Sequence, residues 1–329
     1  MNTQTVQNKN KFSLGKFALD IRNSSSSFNI LLILIAMCIV MSFASENFLT
    51  SSNLFSVARA FSYIAIVAIG ECIVIITSGV DLSVGSVFGL CGVIATLAMT
   101  SWGMGIIPGI IIGTIAGILF GLINGLLITK TKLPPFIATL GTLSVARGLC
   151  FVLTKGYPII NLPKDFLYLG QGYIGPIPVP VVVMLLIAVL FSIFLNRTVT
   201  GRRIFALGGN EEATRICGVN IDRLKIIVYS ISGALAGFAG IVTASRLGLG
   251  QPTSGVGYEL DAVAAVIIGG ASMSGGLGTM SGTVFGAAIM GVLRNALVLL
   301  NVSAYWQQVV IGLVIIVAVA ADQLRKGKK

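Results

Sequence analysis

The 329-residue sequence contains no histidine. That removes the commonest general base, the commonest metal ligand and every Ser–His or Cys–His nucleophile pair. Charge is scarce as well: only 10% of residues are Asp, Glu, Lys or Arg, where roughly a quarter is usual for a soluble globular domain. With 55% of residues hydrophobic, an ordinary soluble protein is excluded. There is no CxxC pair, and the five cysteines, Cys38, Cys72, Cys91, Cys150 and Cys217, are odd in number, four of them inside apolar runs. They read as reduced, packed thiols, neither a disulfide frame nor a metal site. No segment matches GxxxxGK[ST], and the charged loops are too short for an ATPase domain, so any ATP must be used by a partner. Gly276-x-Gly278 followed by Gly282 lacks the spacing and the βαβ setting of a dinucleotide fingerprint. No catalytic, cofactor or metal site is therefore expected in this chain.

What the sequence has is apolar runs, at about 28–45, 57–77, 84–100, 106–129, 134–153, 179–195, 226–247, 260–270, 278–300 and 305–321. A membrane span takes about 20 apolar helical residues, so the pattern predicts an all-α polytopic membrane protein of about ten transmembrane helices, some short or broken. The run at 260–270 is too short to span alone; it reads as a span only with its flank Gly269–Ser274, or as a re-entrant segment.

Net charge is 22 − 11 = +11, but the basic residues sit at the ends of apolar segments and form no basic face, so nucleic acid is not an expected partner. With both ends inside, inner segments hold sixteen: Lys9, Lys11, Lys16, Arg22, Lys130, Lys132, Arg197, Arg202, Arg203, Arg215, Arg223, Lys225, Arg325, Lys326, Lys328 and Lys329. Outer segments hold four, Arg59, Lys155, Lys164 and Arg246, while Arg147 and Arg294 fall inside spans. The excess of inner Lys and Arg predicts cytoplasmic N- and C-termini. The expected organisation is a cytoplasmic tail at 1–27, a membrane domain at 28–322 and a basic cytoplasmic tail at 323–329. The start, a basic stretch, the apolar Ile30–Met41 and then Ser42-Phe43-Ala44, also resembles a signal peptide; its 29-residue polar lead favours a retained anchor. Ser24–Ser27 reads as a flexible linker. Residues 154–178, rich in Tyr and Pro, predict an ordered outer cap, and 196–225 is the sizeable charged inner loop open to a soluble partner.

Several motifs carry more detail. Gly109, Gly113, Gly117, Gly121 and Gly125 recur every four residues, as do Gly278, Gly282 and Gly286; such stripes let another helix approach closely. Gly79, Asp81, Ser83 and Ser86 interrupt two apolar runs. One reading is a capped break, with Asp81 or Ser83 capping the following helix; the other is broken backbone lining a polar path. Glu71, inside an apolar run, must face protein or water. It stands apart in depth from Arg147 and is not read as its partner; a buried hydrogen bond or pore lining fits it better than a proton relay. Ile73–Leu90 and Val266–Ala287 share one order, apolar segment, small-residue turn, Gly-bearing helix, which hints at duplication. In the inner loop, Asn210 suits an N-cap, Glu211 and Glu212 a first turn, Arg215 a last turn and Gly218 a helix stop, with Asn220 or Asp222 capping the next helix. This short helix reads as an interfacial connector or as a knob for a cytoplasmic motor.

GVDLSVGS at Gly79–Ser86, FALGGNEEATRICGVNIDRLKI at Phe205–Ile226, QPTSGVGYELDAVAAVIIGGASMSGGLGT at Gln251–Thr279 and the ending around Tyr305-Trp306-Gln307-Gln308 closely resemble the permease subunit of bacterial ribose-type sugar ABC importers. The match runs from about Leu31 to the C-terminus. The resemblance implies a multi-pass permease of the bacterial cytoplasmic (inner) membrane, paired with an identical or paralogous second copy. It further implies a cytoplasmic ATP-binding subunit carrying ATP and Mg, an extracytoplasmic sugar-binding protein, and a monosaccharide (ribose, another pentose, a hexose or a polyol) as cargo. Glu212-Ala213-Thr214 with Gly218 looks like the E-A-A-x-x-x-G signature through which importer permeases contact their ATPase, which makes Gly209, Asn210, Glu211, Glu212, Ala213 and Gly218 the expected coupling residues. Thr214 replaces the second Ala, a mild departure. Glu71 stands where an uncharged residue is usual, so no role is carried over to it. Glu71, Gly79, Asp81, Ser83 and Ser86 are the expected translocation-path residues. The rival readings are an ion-coupled secondary transporter using Glu71 and Asp81, and an intramembrane hydrolase using the same carboxylates, which the lack of a metal-ligand cluster disfavours.

Overall fold

The computed structural model describes the backbone of residues 14–326, and side chains over 28–320 and at 322. In chain order the elements are α1 (Leu14–Ala44), α2 (Ser51–Ile76), α3 (Val84–Thr100), α4 (Ile106–Lys130), α5 (Pro135–Thr154), α6 (Lys164–Gln171), β1 (Tyr173–Ile174) and β2 (Ile177–Pro178). There follow α7 (Val179–Arg197), α8 (Val199–Gly209), α9 (Glu211–Ile216), α10 (Ile221–Leu247), α11 (Tyr258–Ile268), α12 (Met280–Leu299) and α13 (Ala304–Lys326). Each apolar run of the sequence lies on a helix. Among the described residues six helices, α2, α4, α5, α7, α10 and α12, are long and apolar enough to cross a membrane, and shorter apolar stretches lie at Phe28–Ala44, Val84–Thr100 and Ala304–Ala320. The chain is thus an all-α, multi-pass membrane protein.

Three expectations change. The Ser24–Ser27 stretch is no linker: α1 runs through it, because the few tenths of a kcal/mol that each Ser costs a helix are outweighed by extending one already formed on the apolar run. The segment at 260–270 does not form a span with its flank. α11 has 11 residues, about 16 Å at 1.5 Å per residue, and the chain then turns through Gly270, Gly275 and Gly276, all at positive φ. Arg59, expected outside the spans, lies within α2 with its guanidinium 4.6 Å from the Tyr173 ring centroid.

α2 is the central helix, buried continuously from Ser62 to Ile76, whereas α4, α5 and α7 turn apolar faces outward. The glycine stripe of α4 seats α10: a methyl on Gly117 would overlap the Gly233 carbonyl, and one on Gly121 the Tyr229 carbonyl. On α12, Gly282 and Gly286 lie against the carbonyls of Gly269 and Ala265 in the same way, drawing α11 onto α12. The stripes are packing surfaces, as their spacing predicts.

The two interruptions that echo each other in sequence also meet in space. The Gly276 N–H donates to the Ile76 carbonyl at 2.9 Å, and Ser78 Oγ donates to the Ser274 carbonyl at 2.9 Å. At the opposite end, residues 154–178 fold as α6 and a two-stranded hairpin pairing Tyr173 with Pro178 and Ile174 with Ile177. Ser245 Oγ of α10 accepts from the Gly170 N–H at 2.7 Å and donates to the Phe166 carbonyl at 2.6 Å, fastening that segment to α10.

Candidate functional site

After α2 the chain turns at Ser78, whose φ is 62°, and climbs back beside the helix it has left. Gly79 lets the chain pass close to α10, where a Cβ would meet the Tyr229 hydroxyl at 2.5 Å. The return brings the Asp81 N–H to Glu71 Oε1 at 3.1 Å. Asp81 Oδ1 accepts from the Ser83 N–H at 3.0 Å and from Ser83 Oγ at 2.6 Å, and Oδ2 accepts from Ser232 Oγ of α10 at 3.0 Å. Asn124 of α4 donates through Nδ2 to Ser83 Oγ at 2.8 Å, and Thr142 Oγ1 of α5 donates to Asn124 Oδ1 at 2.6 Å. One chain of polar contacts thus ties α2, the break, α4, α5 and α10 together, and no member of it is more than 6% exposed.

All five residues expected on the translocation path, Glu71, Gly79, Asp81, Ser83 and Ser86, are buried, and the polar contacts join Glu71, Asp81 and Ser83 among them. Neither Asp81 nor Ser83 caps α3. Ser83 occupies the N-cap position with no side-chain cap bond, because its hydroxyl is drawn to Asp81. Asn124, Thr142 and Ser232 were not anticipated; each is one of several polar residues on its helix, and nothing local in the sequence sets it apart. Glu71 Oε2 has no partner.

Arg147 on α5 does not meet Glu71. Its Nη1 donates to the carbonyls of Pro252 at 2.7 Å and Ser254 at 2.9 Å, and its Nη2 to that of Gly85 at 3.2 Å. Arg294 of α12 pairs with buried Asp261 of α11 at 2.6 Å. Five cysteines are free thiols: Cys72, Cys91 and Cys150 are buried, Cys38 is half-buried and Cys217 is exposed. Among the described residues no group of three or more His, Cys, Asp or Glu side chains could hold a metal.

The charged loop forms a second site. α9 begins as its sequence predicts: Asn210 Oδ1 accepts from the Ala213 N–H at 2.8 Å, and Glu211 and Glu212 occupy the first turn. It ends at Gly218, at φ 79°, whose N–H donates to the Arg215 carbonyl at 2.9 Å. Asn220, not Asp222, caps α10, accepting from the Arg223 N–H at 2.9 Å. Glu211 is held by Arg215 at 3.1 Å and by Lys225 at 2.9 Å, leaving Glu212, Ala213 and Ile216 on the exposed side, Ile216 at 81%. Thr214, the departure from the signature, faces inward at 5% exposure and donates to the Asn210 carbonyl at 2.7 Å, so it leaves the exposed face unchanged. Gly209 has open space around it, while Gly208 lies directly against the Ile76 carbonyl and Gly275 against Gly208. The segment leading into α9 thus rests on both helix interruptions. α8 was not anticipated, because its Gly and Arg content hides its helical period.

The described residues form a bundle of apolar helices with buried interruptions and a capped, exposed connecting helix, the architecture of a multi-pass membrane protein. Residues 53–319 match the family described as branched-chain amino acid transport system / permease component, and the chain belongs to that family. It is 42% identical over 322 residues to the ribose import permease protein RbsC of Haemophilus influenzae, covering 97% of each chain. It is 45% identical over 292 residues to RbsC of Bacillus subtilis (88% of this chain, 90% of the relative) and 37% identical over 298 residues to the D-allose transport system permease protein AlsC of Escherichia coli (91% of each). No solved structure matches the chain. These relatives and the helices long enough to span place it as a multi-pass inner-membrane permease; neither favours the ion-coupled reading.

Proposed function

We propose that this chain is the permease subunit of an ATP-driven, binding-protein-dependent importer of a monosaccharide, with ribose the first candidate cargo. The exposed face of α9, built on a cap and a stop that the sequence itself specifies and seated against the two interruptions, carries this reading. A cytoplasmic ATPase holding ATP and Mg engages Gly209, Asn210, Glu211, Glu212, Ala213 and Gly218. Force on α9 passes through Gly208 to the Ile76 carbonyl and the 274–276 turn. The helices cross the membrane ten times, with α11 completing one crossing together with the irregular segment 250–257 that precedes it along α3, and both ends are cytoplasmic, as the distribution of Lys and Arg favours. A second permease copy completes the path, and an extracytoplasmic binding protein delivers the sugar over the face that includes residues 154–178.

Glu71, Gly79, Asp81, Ser83 and Ser86 serve translocation as a joint behind the path wall: the hydrogen-bonded chain to Asn124, Thr142 and Ser232 is the set of contacts that must shift when α2 and α3 move against α4, α5 and α10. The test is reconstitution of the permease in proteoliposomes with its ATPase, its binding protein, internal or external ATP and labelled ribose. Accumulation that stops when any one component is omitted supports the reading. Unchanged accumulation without the ATPase overturns it.

A further inference from the structure

After α10 the chain does not start another full span. It re-enters alongside α3: Gly250 lies against Thr96, the Ser254 carbonyl against Gly89, and Gly255 against Gly85. Thr96 to Gly85 is eleven residues of helix, about 16 Å at 1.5 Å per residue, so residues 250–257 carry irregular backbone to the depth of the first turn of α3. Irregular backbone at that depth persists only where protein covers it or where it lines a watered cavity, and a charged side chain there faces protein or water. Arg147 holds the segment by the Pro252 and Ser254 carbonyls and ties it to the Gly85 carbonyl of α3, and the Glu259 carboxylate lies directly against Gly85. Part of this polar region is open. Ser144 and Gly148, which share a helical face with Arg147, are exposed, as are Thr253 and Val256, and Gly148 has nothing within 4 Å of where its Cβ would stand.

We infer that Ser144, Arg147 and Gly148 of α5, with Thr253, Val256 and Glu259 of the re-entrant segment, form the wall that contacts the sugar in transit. The inference rests on the importer reading and names the surface that does its recognition. The chemistry suits a neutral polyhydroxyl ligand. Glu259 and the two hydroxyls accept from sugar O–H groups, the Arg147 N–H groups not used on carbonyls donate to them, Val256 offers an apolar patch to ring C–H groups, and Gly148 leaves the width. One positive and one negative charge side by side give the wall no net charge, which selects against ionic cargo.

The test uses the complete transporter, in a preparation whose wild-type form takes up ribose, so a failure here is separate from failure of the importer reading. Glu259→Gln keeps an oxygen for the Gly257 N–H, which lies 3.3 Å from the carboxylate; ribose uptake is expected to fall at least tenfold while ATP hydrolysis stimulated by the binding protein stays within twofold. In a Cys217→Ser background, Gly148→Cys is expected to react with a charged, water-soluble methanethiosulfonate reagent and lose uptake on reaction, whereas Leu186→Cys, on the exposed apolar face of α7, stays unmodified. Uptake within twofold of wild type for Glu259→Gln, or a Gly148→Cys no more reactive than Leu186→Cys, overturns the assignment.

Discussion

At the scale of single residues, the buried break sets two opposite expectations for its two carboxylates. Asp81 accepts from a backbone N–H and two hydroxyls on both of its oxygens. Asn in its place offers one acceptor oxygen, so at least one charge-assisted bond is lost, at a cost of about 1.5–3 kcal/mol. Asp81→Asn is expected to insert but melt at lower temperature and transport poorly, and Asp81→Ala, which loses every acceptor, to fail in assembly as well. Glu71 accepts from the Asp81 N–H through one oxygen and leaves the other unpartnered. Glu71→Gln keeps the acceptor and removes a carboxylate from a site with a second carboxylate beside it, so its melting temperature in detergent should equal or exceed that of wild type. A clear drop would show that the Glu71 carboxylate itself is needed. Glu71, Gly79, Asp81, Ser83 and Ser86 were legible in the sequence because they punctuate apolar runs. Asn124, Thr142 and Ser232 were not, since a single polar residue in a helix discloses its partner only when three other helices are in place.

At the scale of elements, helix positions were legible wherever apolar length set them, and less so where packing or charge did. α11 is short because the chain spends its turn residues on contacts with α2 and α8, something no local pattern records. The glycine stripe predicts a sharp contrast. Gly121→Leu drives a side chain into the α10 backbone, and overpacking of this kind costs about 1–3 kcal/mol or more, so folded yield should fall severely; Gly312→Leu on α13, with open space around it, should leave yield unchanged. Equal yields would remove the stripe from the account. For α9, Glu212→Lys reverses an exposed charge at the helix start and Gly218→Trp places a bulky side chain at φ 79°. Both should insert normally yet lower co-purification with the ATPase and sugar-stimulated hydrolysis. Wild-type values in both variants would deny α9 a coupling role.

At the scale of the whole molecule, the sequence pointed to the class through its scarcity of charge and its succession of apolar runs, which the structure folds as helices. Its ordered motifs pointed to a sugar importer permease, and the likeness to ribose and D-allose permeases supports that. The three-dimensional route from α9 to the break was hidden, because it depends on residues 76, 208 and 275 meeting across nearly 200 positions of sequence. The most direct test of the account is the energy source of transport. Membrane vesicles containing permease, ATPase and binding protein should take up sugar in proportion to ATP hydrolysed, and should continue at the same rate when an uncoupler collapses the ion gradients while ATP is held constant. Uptake by this chain without the ATPase, abolished by the uncoupler, would contradict it.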